Sequence, residues 1–156
     1  MAASHKRNEK VVGAYSSVGN IFLQVYDGTT LSWRGGVHTA TFTTNVTVTG
    51  QRFDVAYSSN VELVVYNDNS NIPKYSTYDG TSWSAGASVG MTAGGQPTFV
   101  SLIEKSTATA DVMLAFITSN GELWSALWDG STWGVFIKHE TTLPTGLTGG
   151  TEQCFA

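Results

Sequence analysis

A short phrase that recurs three times constrains this chain more than any other feature. It reads Tyr26-Asp27-Gly28, Tyr78-Asp79-Gly80 and Trp128-Asp129-Gly130, and each copy is followed by small hydroxyl residues and a tryptophan: Trp33, Trp83 and Trp133. The aspartates are spaced 52 and 50 residues apart. Self-similarity at such a period is the mark of a repeat architecture, in which one supersecondary unit is copied along the chain. An Asp-Gly pair between two strand-like runs is a hairpin signal, because both residues tolerate positive φ.

The flanks repeat as well. A strand-like run ending in an aromatic precedes each phrase, over Val11 to Tyr15, Val61 to Tyr66 and Asp111 to Phe116. A turn-rich stretch follows each run, with Gly19-Asn20, Asn67-Asp68-Asn69 and Asn120-Gly121. The second unit therefore predicts strands near 52–58, 61–67, 73–78 and 82–89. The third predicts them near 98–104, 111–118, 122–128 and 132–138. Four short strands in about 50 residues match a propeller blade. The expected fold is all-β: a charged arm over 1–10, then one three-blade domain over 11–156. Blade 1 runs over about 11–50, blade 2 over about 51–95 and blade 3 over about 96–150. The first strand of blade 1 is missing at its front, so Glu152–Phe155 is expected to supply it in a circular offset.

Composition agrees with that reading. Charged residues make up 13% of the chain against a usual share of about a quarter. Gly, Ser, Thr and Asn supply the polar surface instead, which suits strands and tight turns and disfavours helices. The same mix leans toward an extracellular or particle-bound location. The formal net charge is -4, so no basic face for nucleic acid is expected. The one positive cluster, His5-Lys6-Arg7 with Lys10, lies in the arm. No apolar run reaches the ~20 residues of a membrane span, and no apolar leader precedes the repeats. Cys154 is the only cysteine, so no internal disulfide is expected. Asn45-Val46-Thr47 fits a glycosylation sequon, a triplet that also arises by chance.

Catalytic readings fail for want of residues. His5, His38 and His139 have no zinc-like spacing, and there is no CxxC or phosphate-binding loop. No catalytic residue, metal or cofactor is therefore expected. The repeated Asp27, Asp79 and Asp129 read as caps of their own turns. The aromatics that flank the turns are the candidate ligand residues. Tyr78 and Trp83 lie five residues apart, as do Trp128 and Trp133. Such pairs either plug the gap between blades or wall a site for the apolar patch of a sugar ring. In blade 1 the loop is two residues longer, and Leu31 falls at the five-residue spacing.

On these residues the chain resembles the six-bladed fucose-binding lectins of bacteria and fungi. The stretch from Thr118 to Trp133 carries the phrase most fully: strand, Gly turn, strand, aromatic-Asp-Gly-x-x-Trp. The resemblance implies a propeller, glycan sites between blades at Tyr78, Trp83, Trp128 and Trp133, and a ring completed by oligomerisation, a dimer giving six blades. The family's sugar-binding Arg and Glu are not matched: Gly13, Val64 and Leu114 stand at one position, Leu23, Tyr75 and Ser125 at the other. The Asp-Gly-x-x-Trp turn also looks like the Asp-box of sialidase-type propellers, where it is structural. The sequence thus gives a non-catalytic, homo-oligomeric, lectin-like module as the first expectation. A decoration or structural protein of a virus-like particle or surface layer is the alternative.

Overall fold

The computed structural model describes residues 2–3, 7–16, 18–36, 39–43, 50–58, 61–105 and 109–143. The sequon at Asn45, the cysteine at 154 and the expected strand over 152–155 lie outside them. The described chain is all-β, in three antiparallel sheets. The first holds β1 (Ala2–Ala3), β2 (Glu9–Tyr15), β3 (Asn20–Asp27) and β4 (Ser32–Trp33) in that order, with β5 (Thr39–Thr43) also paired to β3. The second runs β6 (Phe53–Tyr57), β7 (Glu62–Tyr66), β8 (Lys74–Tyr78), β9 (Ala87–Ser88). The third runs β10 (Pro97–Glu104), β11 (Val112–Thr118), β12 (Leu123–Trp128), β13 (Ile137–Glu140). Among the described residues no helix is long and apolar enough to cross a membrane.

The strand boundaries expected for the first three strands of the second and third units match the observed ones within about two residues. The fourth strand differs. It was expected to be continuous, but it begins as a single bridge at the tryptophan (Tyr78 with Trp83, Trp128 with Trp133) and resumes only at β9 or β13. The first sheet shows the same break between β4 and β5. Each bridge is locked by one equivalent hydrogen bond: Arg34 N to Val25 O at 2.9 Å, Ser84 N to Thr77 O at 2.7 Å and Gly134 N to Leu127 O at 2.8 Å. Beyond that bond the pairing register slips in every sheet, which is the behaviour of a bulged edge strand.

Of the segment read as a charged arm, Ala2–Ala3 and Glu9–Lys10 belong to the first sheet. Ala2 pairs with Val11 and Ala3 with Lys10, and β2 already begins at Glu9. The position beside β2 is therefore occupied by β1. The cause is Glu9: it is buried and faces two arginines, so the strand continues past the first apolar residue, Val11.

The sheets pack face against face. Val11, Ile21, Leu23 and Val25 of the first meet Val55, Tyr57, Val64 and Tyr66 of the second. The opposite face of the second sheet, with Ala56, Leu63 and Val65, meets Val100, Val112, Leu114 and Phe116 of the third. The middle sheet is thus covered on both sides. Its central strand shows this directly, because every residue from Glu62 to Tyr66 is buried. A strand buried on both faces reads as a continuous apolar run, Leu63-Val64-Val65-Tyr66, whereas an outer strand such as β11 alternates at its open end.

Candidate functional site

The three Asp-Gly turns share one capping pattern, although Gly28, unlike Gly80 and Gly130, does not take positive φ. Asp79 Oδ1 accepts from Thr81 N at 2.7 Å and Ser82 N at 2.9 Å. Asp129 Oδ1 accepts from Ser131 N and Thr132 N, both at 2.8 Å. Asp27 Oδ1 does the same to Thr29 N at 2.8 Å and Thr30 N at 3.3 Å. Charge-stabilising bonds of this kind depress a carboxyl pKa. The backbone N–H of Thr132, with that of Ser131, holds Asp129 down at about 2. The N–H of Thr29 leads in holding Asp27 at about 2, and Asp79 is lowered by the N–H groups of Ser82 and Thr81. These aspartates are turn caps, with their acceptor oxygen occupied by the turn. Gly80 and Gly130 sit at φ 97° and 102°, the left-handed backbone that the Asp-Gly signal requires.

The aromatic pairs flank the turns on the same side of every sheet. Tyr78 and Trp83 lie directly opposite, with ring centroids 5.2 Å apart. Trp128 and Trp133 are opposite at 5.3 Å. Tyr78 and Trp128 are buried, while Trp83 and Trp133 are half-buried. The pairs fill the gaps between sheets. Trp128 and Trp133 stand 5.4 and 5.9 Å from Tyr75 of the second sheet, and Tyr78 and Trp83 belong to the cluster shared with the first. The indole N–H groups of Trp128 and Trp133 are buried with no hydrogen-bond partner among the described residues.

A third pair escaped the five-residue spacing. Trp33 is the residue opposite Tyr26, with centroids 5.2 Å apart, although seven positions separate them. The two extra loop residues are absorbed by Leu31, which takes φ 54° and points its side chain into solvent at 74% exposure. Unlike the other two pairs, this one faces away from its neighbouring sheet, and Trp33 is 52% exposed. It borders a hollow of about 380 Å³ with Val12, Ala14, Phe22 and Gln24.

Sequence reasoning also passed over an ion cluster between the first and second sheets. Arg7 Nε meets Glu9 Oε2 at 2.8 Å, and its guanidinium also grips Glu62. Arg34 Nη2 bridges Glu9 Oε1 at 2.9 Å and Asp27 Oδ2 at 3.0 Å. The Arg7 guanidinium lies 5.7 Å from the Tyr78 ring centroid. Burial pushes the Glu62 carboxyl up to about 7, against the opposing pull of Arg7. The available signals were a charge opening an apolar strand, Glu62-Leu63-Val64-Val65, and an arginine directly after Trp33. Each carboxylate here is held by an arginine, so the cluster fastens the two sheets together.

A second polar group lies on the third sheet. Glu122 accepts from Gly94 N at 2.7 Å and Trp124 Nε1 at 3.1 Å, and meets Lys138 Nζ at 2.6 Å. Ser125 Oγ and His139 Nε2 are 2.7 Å apart, and no carboxylate orients that imidazole among the described residues. No group of His, Cys, Asp or Glu suited to a metal ion occurs among the described residues. No family model, curated protein or solved structure matches this chain.

Proposed function

We propose that the chain is a non-catalytic structural subunit: three consecutive propeller-type blades that associate with further copies, as in the shell or decoration of a particle or surface layer. One observation carries this over the lectin-like reading. The aromatics at the second and third turns are consumed in packing between sheets, with Trp128 3% exposed and set against Tyr75. A sugar platform needs an open aromatic face, and the buried members of both pairs, Tyr78 and Trp128, offer none.

Glycan binding is the second reading, favoured by the unpartnered indole N–H groups of Trp128 and Trp133 and the half-exposed rings of Trp83 and Trp133. Two donors without partners would suit the hydroxyls of a ligand entering the junction. Titration of monosaccharides at tens of millimolar, followed through the indole NMR signals, separates the two. The structural reading expects all five tryptophan signals to stay in place and an array of larger glycans to remain blank. Movement of the Trp83 or Trp133 signal at saturable concentration would hand first place to the lectin-like reading.

A further inference from the structure

The pairing register puts Val11, Leu63 and Met113 at one position in the three sheets, each following the residue opposite the junction aromatic. Val11 and Leu63 are completely buried against the next sheet, whereas Met113 is 40% exposed. Around Met113 on the same face stand Ile103 (46%), Leu127 (41%) and Ile137 (53%). At the other end of the stack the opposite face is open. Val64 and Leu114 are completely buried at a position where the first sheet has the unburied Val12. Tyr78 and Trp128 are buried where the first sheet has the part-exposed Tyr26. The chain therefore forms one kind of junction twice, forward face of one sheet against aromatic-bearing back face of the next. Among the described residues it leaves one forward face and one back face without a mate.

We infer that these two faces are mates: the third sheet of one copy docks head-to-tail on the first sheet of a second copy. The inference rests on the reading of the chain as a self-associating structural subunit and names the surfaces it uses. Complementary chemistry supports this occupant. The back face offers a hollow floored by Val12 and Ala14 and walled by Phe22 and Trp33, and the forward face offers the protruding, unbranched Met113 beside Leu127 and Ile137. Methionine fits irregular apolar gaps and packs well on aromatic rings. An apolar sheet face of this extent on a lone copy would invite association in any case. The two inner junctions show which partner chemistry this sequence buries. Because the two faces differ, the contact is heterologous, and it closes when two copies bring six sheets into one ring.

The test uses two single variants on opposite faces, Met113→Asp and Trp33→Asp, both at exposed positions. Light scattering reads mass, and far-UV circular dichroism confirms that each variant keeps its strands. The native chain should run at a multiple of its 16.6 kDa mass. Each variant alone should run as the single chain. An equimolar mixture should recover a two-chain complex, since one intact forward face and one intact back face remain. A native chain that is already monomeric would overturn both this contact and the self-associating reading. A native oligomer untouched by either variant, or a mixture that stays monomeric, would overturn this contact alone.

Discussion

Trp33 lies directly across the β3–β4 pair from Tyr26, with ring centroids 5.2 Å apart, in the same bridged position that Trp83 holds toward Tyr78 and Trp133 toward Trp128. Strand pairing, not residue count, sets the equivalence. The loop between Tyr26 and Trp33 is two residues longer, yet the hydrogen bond that follows the tryptophan is kept, Arg34 N to Val25 O. The three pairs are one device, packed between sheets in two copies and open in the third. Trp128→Ala should cost about 3–5 kcal/mol, because it empties a packed junction. Trp33→Ala should stay within about 0.5 kcal/mol in the dilute single chain, because the ring is half in water. Urea midpoints of the two variants, measured at one low protein concentration, check the contrast.

The turns make a second, graded expectation. Gly130 has φ 102°, and a Cβ there would stand 2.5 Å from the Ala110 Cβ, an atom fixed by its own backbone. Gly80 has φ 97°, but the nearest atom to an added Cβ is the end of the Arg7 side chain at 2.9 Å. Both substitutions to Val carry the left-handed strain of a β-branched residue, on the order of 1–2 kcal/mol. Gly130→Val should exceed Gly80→Val, because a side-chain end can swing aside and Ala110 cannot. Equal midpoints for the two would contradict the packing at Gly130.

Much of this was legible in the sequence for a physical reason. A residue type that only one local geometry tolerates is informative wherever it recurs, and Asp79-Gly80 and Asp129-Gly130 are such pairs. They fixed the hairpins, and the hairpins fixed strands on both sides. The sequence was less informative where tertiary contacts decide. The strand start at Glu9 depends on Arg7, two residues before it, and on Arg34, which approaches from beyond the first turn. The break of the fourth strand depends on register slip after Trp83 and Trp133, which leaves no mark in composition. The burial of Trp128 against Tyr75 joins residues 53 positions apart, and no spacing rule within one hairpin could reveal it.

The aspartate caps should be separable by chemistry from the charge they carry. Asp129→Asn keeps an oxygen to accept from Ser131 N and Thr132 N, while Asp129→Ala removes it. The alanine variant should lower the urea midpoint and the asparagine variant should restore most of the loss. Matching losses in the two would mean that charge, not the accepted hydrogen bonds, holds the turn.

The last expectation concerns pH and follows from two groups of carboxyls shifted in opposite directions. Asp27, Asp79 and Asp129 are held below their ordinary value of 3.8, led by the turn N–H groups. A depressed carboxyl contributes stability that is present above its unfolded pKa and is lost as pH falls through the folded one. The turns should therefore weaken below about pH 4. Glu62 is moved the other way, from 4.5 to about 7, chiefly by burial, with Arg7 opposing and Glu9 and Tyr57 among its neighbours. A raised carboxyl contributes stability that is complete below 4.5 and lost as pH rises through about 7. Stability should thus be highest near pH 4–5 and decline toward pH 8, where Glu62 must ionise inside the junction. Glu62→Gln cannot ionise and still offers Arg7 an oxygen acceptor. Its melting temperature should stay level between pH 5 and pH 8 while that of the native chain falls. Parallel slopes for the two proteins across that interval would show that Glu62 is not the group that titrates there.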